Sequence, residues 1–312
     1  MTRMSRVTRR EAALMSLAGL VGGISLRAGA ADLPLLTRPI PASGEHLPVI
    51  GVGTNRYDVT NAADLADRRA VLSQLPQLGG SVVDTAPLYG RAEAVIGELV
   101  AGLGNRDRLF LATKVIARDA GSGEASLASS LAALRTQRID LLQVHNLITV
   151  ETMLPLMRQW KQAGRIRYTG ITTSNPEDHP RMMDCMRRFK PDFIQVDYSL
   201  GNRAAGDSVL PLAQQLGIAV IGNTPFGGRR NAASVFARVA GKPLPPWAAD
   251  IQVASWSQLF LKYVLSHPAV TVVVPGTTQT AHLQDNTPAG RGAMPDASLR
   301  KKMEQFWDGL PG

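Results

Sequence analysis

The sequence has a single cysteine, Cys185. One thiol excludes an internal disulfide and a thiolate metal site. Its neighbours Met182, Met183 and Met186 lie in a helical stretch and mark it as a small core residue. No apolar run is long enough to span a bilayer, and no metal-ligand spacing is evident. The formal net charge is +9, but the chain has no long run of like charge, so the basic balance does not point to nucleic acid.

Part of that charge is local. Residues 1–30 hold five arginines against one glutamate, which is four of the nine formal positive charges. Arg9-Arg10, then Glu11-Ala12-Ala13-Leu14, an apolar small-residue run to Leu26 and Ala28-Gly29-Ala30 resemble a twin-arginine export signal with a peptidase site. The alternative is an amphipathic surface helix. The expected organisation is a signal peptide over 1–30 and one domain over 31–312, with a periplasmic location, or a cytoplasmic one if the signal does not function. The export machinery would be the only membrane partner.

Apolar runs rich in β-branched residues recur along the rest of the chain. They are Val49–Gly53, Ser81–Asp84, Leu109–Lys114, Asp140–His145, Tyr168–Thr172, Phe193–Asp197, Ala219–Gly222 and Thr271–Val274. Such runs suit strands buried on both faces of a parallel sheet. Segments of helical period lie between them, such as Ala92–Leu103, Ala125–Leu134, Thr152–Ala163 and Val253–Leu265. This alternation predicts an α/β fold, a (β/α)8 TIM barrel. An open dinucleotide-binding sheet is the rival. It calls for Gly-x-Gly-x-x-Gly after the first strand, and Gly51-Val52-Gly53-Thr54-Asn55-Arg56 lacks the third glycine. Leu36–Pro48 predicts a hairpin turning at Ser43-Gly44 and closing the barrel bottom. The seventh and eighth strands lie unusually far apart, and the added segment, Phe226–Ala249, is rich in Gly, Pro and Arg. Long βα loops commonly cover a ligand.

On a parallel barrel, chemistry gathers at the C-terminal strand ends. The second strand ends at Asp84, followed by Thr85-Ala86-Pro87-Leu88-Tyr89-Gly90; the third ends at Lys114 and the fourth at His145. Each polar group closes an apolar strand, where an unpaired charge is costly. A Lys114–Asp84 ion pair is the cheapest arrangement. Singly, each has a structural explanation; three on adjacent strand ends, with a tyrosine in the turn, point to a site. A free phenol is a weak acid at neutral pH, and a neighbouring ammonium stabilises its anion. Tyr89 is then a proton donor to the alkoxide left by hydride addition to a carbonyl. Lys114 tunes it, Asp84 holds Lys114, and His145 polarises the carbonyl oxygen.

Asp84-Thr85-Ala86-x-x-Tyr89-Gly90, with Glu93, Ile96-Gly97, Lys114 and His145 in order, resembles the signature of the aldo-keto reductase superfamily. The likeness runs from Ser43 to Thr278. It implies a TIM barrel that binds NADPH (NADH is possible) in extended form, and aldehyde or ketone substrates. It also implies contacts to the cofactor. The segment around Thr172-Thr173, or else Ser174-Asn175, would hold the nicotinamide amide, with Gln195 on the next strand. Asn223 stands where the family often has a stacking aromatic. Thr224, Pro225, Phe226, Gly227 and Arg229 would form the pyrophosphate loop. Gly276, Thr277, Thr278, His282, Asp285 and Asn286 would hold the adenosine end, though no Lys or Arg lies between Pro275 and Asn286. Tyr57, Leu88 and Leu147 are the expected substrate contacts, and His46, His179 and His267 read as surface residues. Two other functions fit less well. One is a nicotinamide-binding regulatory barrel with little turnover, which has no need of Tyr89. The other is a Schiff-base lyase, which is disfavoured because Asp84 keeps Lys114 protonated.

Overall fold

A computed structural model describes residues 33–227 and 234–311. The expected export signal and Arg229 lie outside these residues. The chain opens with a hairpin, β1 (Thr37–Pro39) and β2 (His46–Pro48), paired antiparallel and turning through Gly44 at φ 75°. Eight strands follow in one parallel sheet: β3 (Val52–Gly53), β4 (Val82–Asp84), β5 (Phe110–Val115), β6 (Ile139–His145), β7 (Ile166–Thr173), β8 (Phe193–Asp197), β9 (Ala219–Asn223) and β10 (Val270–Val273). Each pairs with its neighbours in sequence. Bridges from Ile50 to Val273 and from Gly53 to Gly276 join the last strand to the first. The sheet is thus a barrel, as expected.

Period-two alternation sorts the strand residues into two cores. Phe110, Leu141, Tyr168, Phe193 and Ile221 point into the barrel, where they meet Ile40 and Leu47 of the hairpin. Leu111, Leu142, Ile171, Ile194 and Val220 point outward and pack with the helices. The hairpin seals the bottom by polar contacts too: Ser43 Oγ and Glu45 Oε2 lie 2.8 and 2.6 Å from the Tyr168 hydroxyl. Gly51 and Gly53 serve the barrel seam and not a nucleotide turn. A Cβ on Gly51 would stand 2.8 Å from Val82, and one on Gly53 2.9 Å from the Val274 carbonyl.

The helices on the site's side are α1 (Ala62–Gln74), α2 (Ala92–Leu103), α3 (Ala120–Ala133), α4 (Val150–Gln162) and α5 (His179–Phe189). Helix α3 starts earlier than its apolar period predicts, because Asp119 and Ser122 form a capping box. After β8 come the short α6 (Ala204–Asp207) and α7 (Val209–Leu216). The described residues of the long segment after β9 form local structure. It contains α8 (Val235–Val239) and a 3-10 turn at Pro246–Ile251 before α9 (Trp256–Leu265). An antiparallel bridge joins Gly227 to Ser234, and Phe226 packs 4.9 Å from Phe236. Helices α10 (Thr280–Asn286) and α11 (Ala297–Asp308) complete the chain.

Candidate active site

The acid, the amine and the imidazole stand at or next to the C-terminal ends of β4, β5 and β6, and alternation carries them inward. Lys114 lies two residues beyond Ala112 of the interior core, and His145 four beyond Leu141. Lys114 Nζ reaches both oxygens of Asp84, at 3.1 and 2.9 Å, and the Thr85 carbonyl at 2.7 Å. The ammonium also makes a side-chain hydrogen bond with Tyr89. Gln143 Nε2 adds a weaker contact to Asp84 at 3.4 Å. Asp84 and Lys114 are 4% and 2% exposed, so this is a buried pair. Burial acts to lower the Lys114 pKa, but Asp84 and the neighbouring Tyr89 outweigh it, and the net shift is upward. The ammonium lies 5.3 Å from the centre of the Tyr89 ring. Tyr89 and His145 are half-buried at the mouth.

A second carboxylate supports β5 from outside. Glu93, at the start of α2, accepts from Thr113 Oγ1 at 2.6 Å and Ser130 Oγ at 3.2 Å. Burial pushes its carboxyl up, opposed by those hydrogen bonds and the Lys114 charge. Thr113 precedes Lys114, so Glu93 holds the outer face of the strand whose inner face carries the amine. The backbone after His145 is strained. Asn146, Leu147 and Thr149 all have positive φ, at 50, 56 and 52°. Thr149 Oγ1 donates to the Ala117 carbonyl at 2.6 Å, which ties the His145 turn to the turn beyond Lys114.

On the opposite wall, β7, β8 and β9 bring Thr172, Gln195 and Asn223 to the mouth, with Thr172 registered between His145 and Gln195. Thr172 Oγ1 donates to Gln195 Oε1 at 3.2 Å. Asp84, Tyr89, Lys114 and His145 thus lie towards one wall of the mouth, and Thr172, Gln195 and Asn223 towards the other.

The aldo/keto reductase family profile matches residues 49–302. The chain belongs to the aldo/keto reductase family. It is 30% identical over 248 residues to methylglyoxal reductase YeaE of Escherichia coli strain K12, covering 77% of this chain and 84% of that protein. Among solved structures it resembles an aldo/keto reductase from Klebsiella pneumoniae in complex with NADP and acetate, with a TM-score of 0.68 and 25% identity, covering 85% and 93% of the two chains. It also resembles the holo form of aldo-keto reductase AKR11C1 from Bacillus halodurans, with a TM-score of 0.70 and 23% identity, covering 88% and 96%.

The residues expected to line the cofactor and substrate groove fall into three groups. In the first, Thr172, Gln195, Asn223, Thr224, Gly227, Gly276 and Thr278 are polar or glycine positions at strand ends and the loops that leave them, and His282 is exposed on α10. Leu88, at 64% exposed, is the most open of the expected substrate contacts. The second group supports the loops. Pro225 is buried, and Phe226 packs on Phe236. Thr277 turns inward, its amide donating to the Gly53 carbonyl at 3.2 Å and its hydroxyl to the Pro275 carbonyl at 3.0 Å. Asn286 is also buried.

The third group departs from expectation. Thr173 sits on the outward face of β7, where its hydroxyl donates to Asp178 at 2.8 Å and accepts from the Asn175 amide at 3.1 Å. Asp285 accepts from Ser255 Oγ at 3.0 Å and Gln258 Nε2 at 3.1 Å, so both its oxygens serve the start of α9. Tyr57 is buried and donates to the Thr277 carbonyl at 3.0 Å, tying two loops together. Leu147 belongs to the strand–helix core. Neither of the last two offers surface to a substrate. His46 is exposed as expected, but His267 is half-buried and His179 is buried.

Two residues outside the sequence motifs also contribute. Gln143 is one, although its position two before His145 on the same strand face was a signal. Arg68 of α1 is another. It donates to the Thr278 and Arg56 carbonyls, both at 3.3 Å, and pairs with Asp64 at 3.1 Å. The loop after β10, which has no Lys or Arg between Pro275 and Asn286, is thus braced from α1. Nothing local in the sequence announces that contact.

Proposed function

We propose that the protein reduces aldehyde or ketone carbonyls with a nicotinamide nucleotide, NADPH first, and that Tyr89 delivers the proton. The observation that carries this reading is the Lys114 ammonium, held on three acceptors and placed 5.3 Å from the Tyr89 ring. The mouth fits the cofactor. Its far wall holds Gln195, nine-tenths buried with an amide nitrogen that has no partner, and Gly276 leaves the loop beyond β10 open to close approach. Thr172, Gln195 and Asn223 would hold the nicotinamide end, the segment from Thr224 the pyrophosphate, and Gly276, Thr278 and His282 the adenosine end. When bound, the nucleotide supplies the hydride.

The chain's own residues do the rest. His145 donates a hydrogen bond to the carbonyl oxygen and polarises it. Tyr89 gives its phenolic proton to that oxygen as negative charge builds there. Lys114 stabilises the phenolate left behind. Asp84 and the Thr85 carbonyl fix the ammonium so that it does not reorganise during the step. Leu88 and Ile148, 64% and 40% exposed, flank these groups and present apolar surface to the substrate's side group. The relative named methylglyoxal reductase supports a small carbonyl substrate.

Two measurements test this. Purified protein is titrated with NADPH and NADH, and turnover is followed on a panel of aldehydes, ketones and quinones; both are repeated with Tyr89→Phe. Retained nucleotide binding with lost turnover is expected. A Tyr89→Phe variant as fast as the parent refutes the proton donor. Binding without turnover on any carbonyl favours the regulatory reading.

We further propose that residues 1–30 direct export in the folded state, with the nucleotide already bound. The Arg9-Arg10 pair and the apolar run behind it support this. An exported reductase needs slow nucleotide release, and the long segment from Phe226 to Ala249 is the candidate strap. Cell fractionation that finds the protein only in the cytoplasm, or rapid nucleotide exchange in the purified protein, rejects the proposal.

A further inference from the structure

The turns that lead into β5, β6, β7 and β8 all lie at the bottom of the barrel, the end opposite the mouth. Taken with the last turn of the helix before each and the first two residues of each strand, they hold ten cations and three acids. That is a net of seven positive charges. Residues 31–312 carry five, nine less the four of residues 1–30, so the rest of that span is net negative by two. Along the chain the cations never form a long run. The fold gathers them on one side of one end.

Half of the ten form ion pairs. Arg106 and Arg167 share Asp140, Lys161 meets Asp192, Arg165 meets Glu124 and Arg188 meets Asp184. The other five, Arg108, Arg135, Arg138, Arg187 and Lys190, are exposed, and none meets a carboxylate among the described residues. Helix dipoles favour cations at these helix ends, but they do not require them. The last turns of α1 and α7, and the turns that follow into β4 and β9, hold no charged residue at all. Backbone geometry marks two of the free cations further. Helices α2, α4 and α7 end through Gly104, Gly164 and Gly217, at φ 63, 74 and 65°. At the matching ends of α3 and α5 the left-handed position holds Arg135 and Lys190, at φ 50 and 44°. Glycine takes this conformation freely, and a residue with a side chain does not. A charge kept there against the backbone's preference points to a use for the charge.

The ends of neighbouring barrel strands share a plane across the barrel axis, so the free cations form a flat arc. The complement of a flat arc of positive charge is a plane of negative charge, and it needs no groove. Nucleic acid is a poorer match. None of the aromatic rings in the arc is exposed for a base to stack on, and the cations sit on four separate turns instead of one helix face that could enter a groove. We propose that this arc docks on a bilayer surface rich in anionic headgroups, a membrane contact beyond the export machinery. Docked this way, the mouth with Tyr89 and His145 faces away from the membrane and stays open to solvent.

The test is cosedimentation of the full chain with vesicles of phosphatidylglycerol and phosphatidylcholine, and with vesicles of phosphatidylcholine alone. The parent should bind only the anionic vesicles, and binding should weaken as salt shortens the Debye length. A Lys or Arg near an anionic surface is worth about fivefold in binding, so Arg135→Gly/Lys190→Gly should bind roughly 25-fold more weakly. Both substitutions place glycine where the backbone is already left-handed, so the fold should hold. Arg108→Gln/Arg138→Gln carries the test if it does not. Lys242→Gln/Lys302→Gln, which removes two exposed charges outside the arc, should bind as the parent does. The assignment is overturned if the parent binds neutral vesicles equally well, if the arc variants bind like the parent, or if the control variant loses as much as they do. Duplex DNA bound through the same residues while vesicles are ignored also overturns it, and makes the arc a nucleic-acid site.

Discussion

Lys114→Met separates the structural worth of the buried pair from its chemical worth. Methionine matches the volume of the lysine stem but removes every donor at Nζ. Asp84, 4% exposed, then loses its two short contacts and keeps only the 3.4 Å contact from Gln143. The Thr85 carbonyl loses a partner as well. Stranding one member of a buried ion pair costs about 3–5 kcal/mol. In a domain of this size each kcal/mol shifts the melting temperature by about 2–4 °C, so a fall of roughly 6–20 °C is expected. The double variant Lys114→Met/Asp84→Leu removes the stranded charge too, and an apolar pair of similar volume is often no less stable than the ions. It should recover most of the lost stability and none of the turnover. Urea denaturation of the parent, both single variants and the double, with carbonyl reduction measured on each, decides the matter. The reasoning is refuted if Lys114→Met costs less than about 1 kcal/mol, or if the double variant is no more stable than Lys114→Met.

Other perturbations read other parts of the molecule. Tyr89→Phe removes only a hydroxyl from a half-buried ring, so turnover should drop by about 10²–10⁴-fold while urea midpoints stay within about 0.5 kcal/mol of the parent. Glu93→Ala strands the Thr113 hydroxyl and should cost about 1–3 kcal/mol in denaturant titrations; Glu93→Gln, which keeps an acceptor, should cost less. Burial pulls Lys262 down to about 8 from 10.5. Between those values the unfolded chain still holds the proton that the folded chain has released, so stability should climb with pH across that window, by up to about 3 kcal/mol. The neutral amine keeps two donors for its two acceptors, the Arg291 and Ala293 carbonyls, and Lys262→Met should flatten the climb. Burial, with Arg300 and Arg38 nearby, lowers His267 to about 4 from 6.5. Stability should therefore be lost as pH falls from 6.5 towards 4, and His267→Phe should shrink that acid loss by up to about 3 kcal/mol relative to the parent.

The barrel was legible because its eight strands are buried on both faces and announce themselves as apolar runs. Asp84, Lys114 and His145 were legible because each breaks such a run where it ends. Loop residues were harder. Tyr57 and Leu147 follow strands closely, which made them candidates, yet tertiary packing turns one onto the Thr277 carbonyl and the other into the helix layer. Thr173 and Asp285 look like ligand donors in a one-dimensional reading. Only the fold shows that Asp178, Ser255 and Gln258 engage them. His179 went the other way. Flanked by charge and proline, it read as surface, but α5 starts by burying it against Asp197. The Gly51-x-Gly53 pair carried a false hint of a nucleotide turn, and its actual reason, the close approach of the last strand, involves residues near the far end of the chain.

That seam has a consequence for how the molecule comes into being. The amides of Gly51 and Gly53 donate to the Val273 and Pro275 carbonyls, each at 2.9 Å, and the Val273 amide returns a bond to the Val49 carbonyl. Every other pairing in the sheet joins strands adjacent in sequence, and so can form as synthesis proceeds. This one waits until nearly the whole polypeptide has left the ribosome. Until then the growing chain is an open sheet with two bare edges, the state most prone to pair with the wrong neighbour. A chain truncated before Val270 should stay in that state, and its aggregation against the soluble full-length protein is directly observable by light scattering.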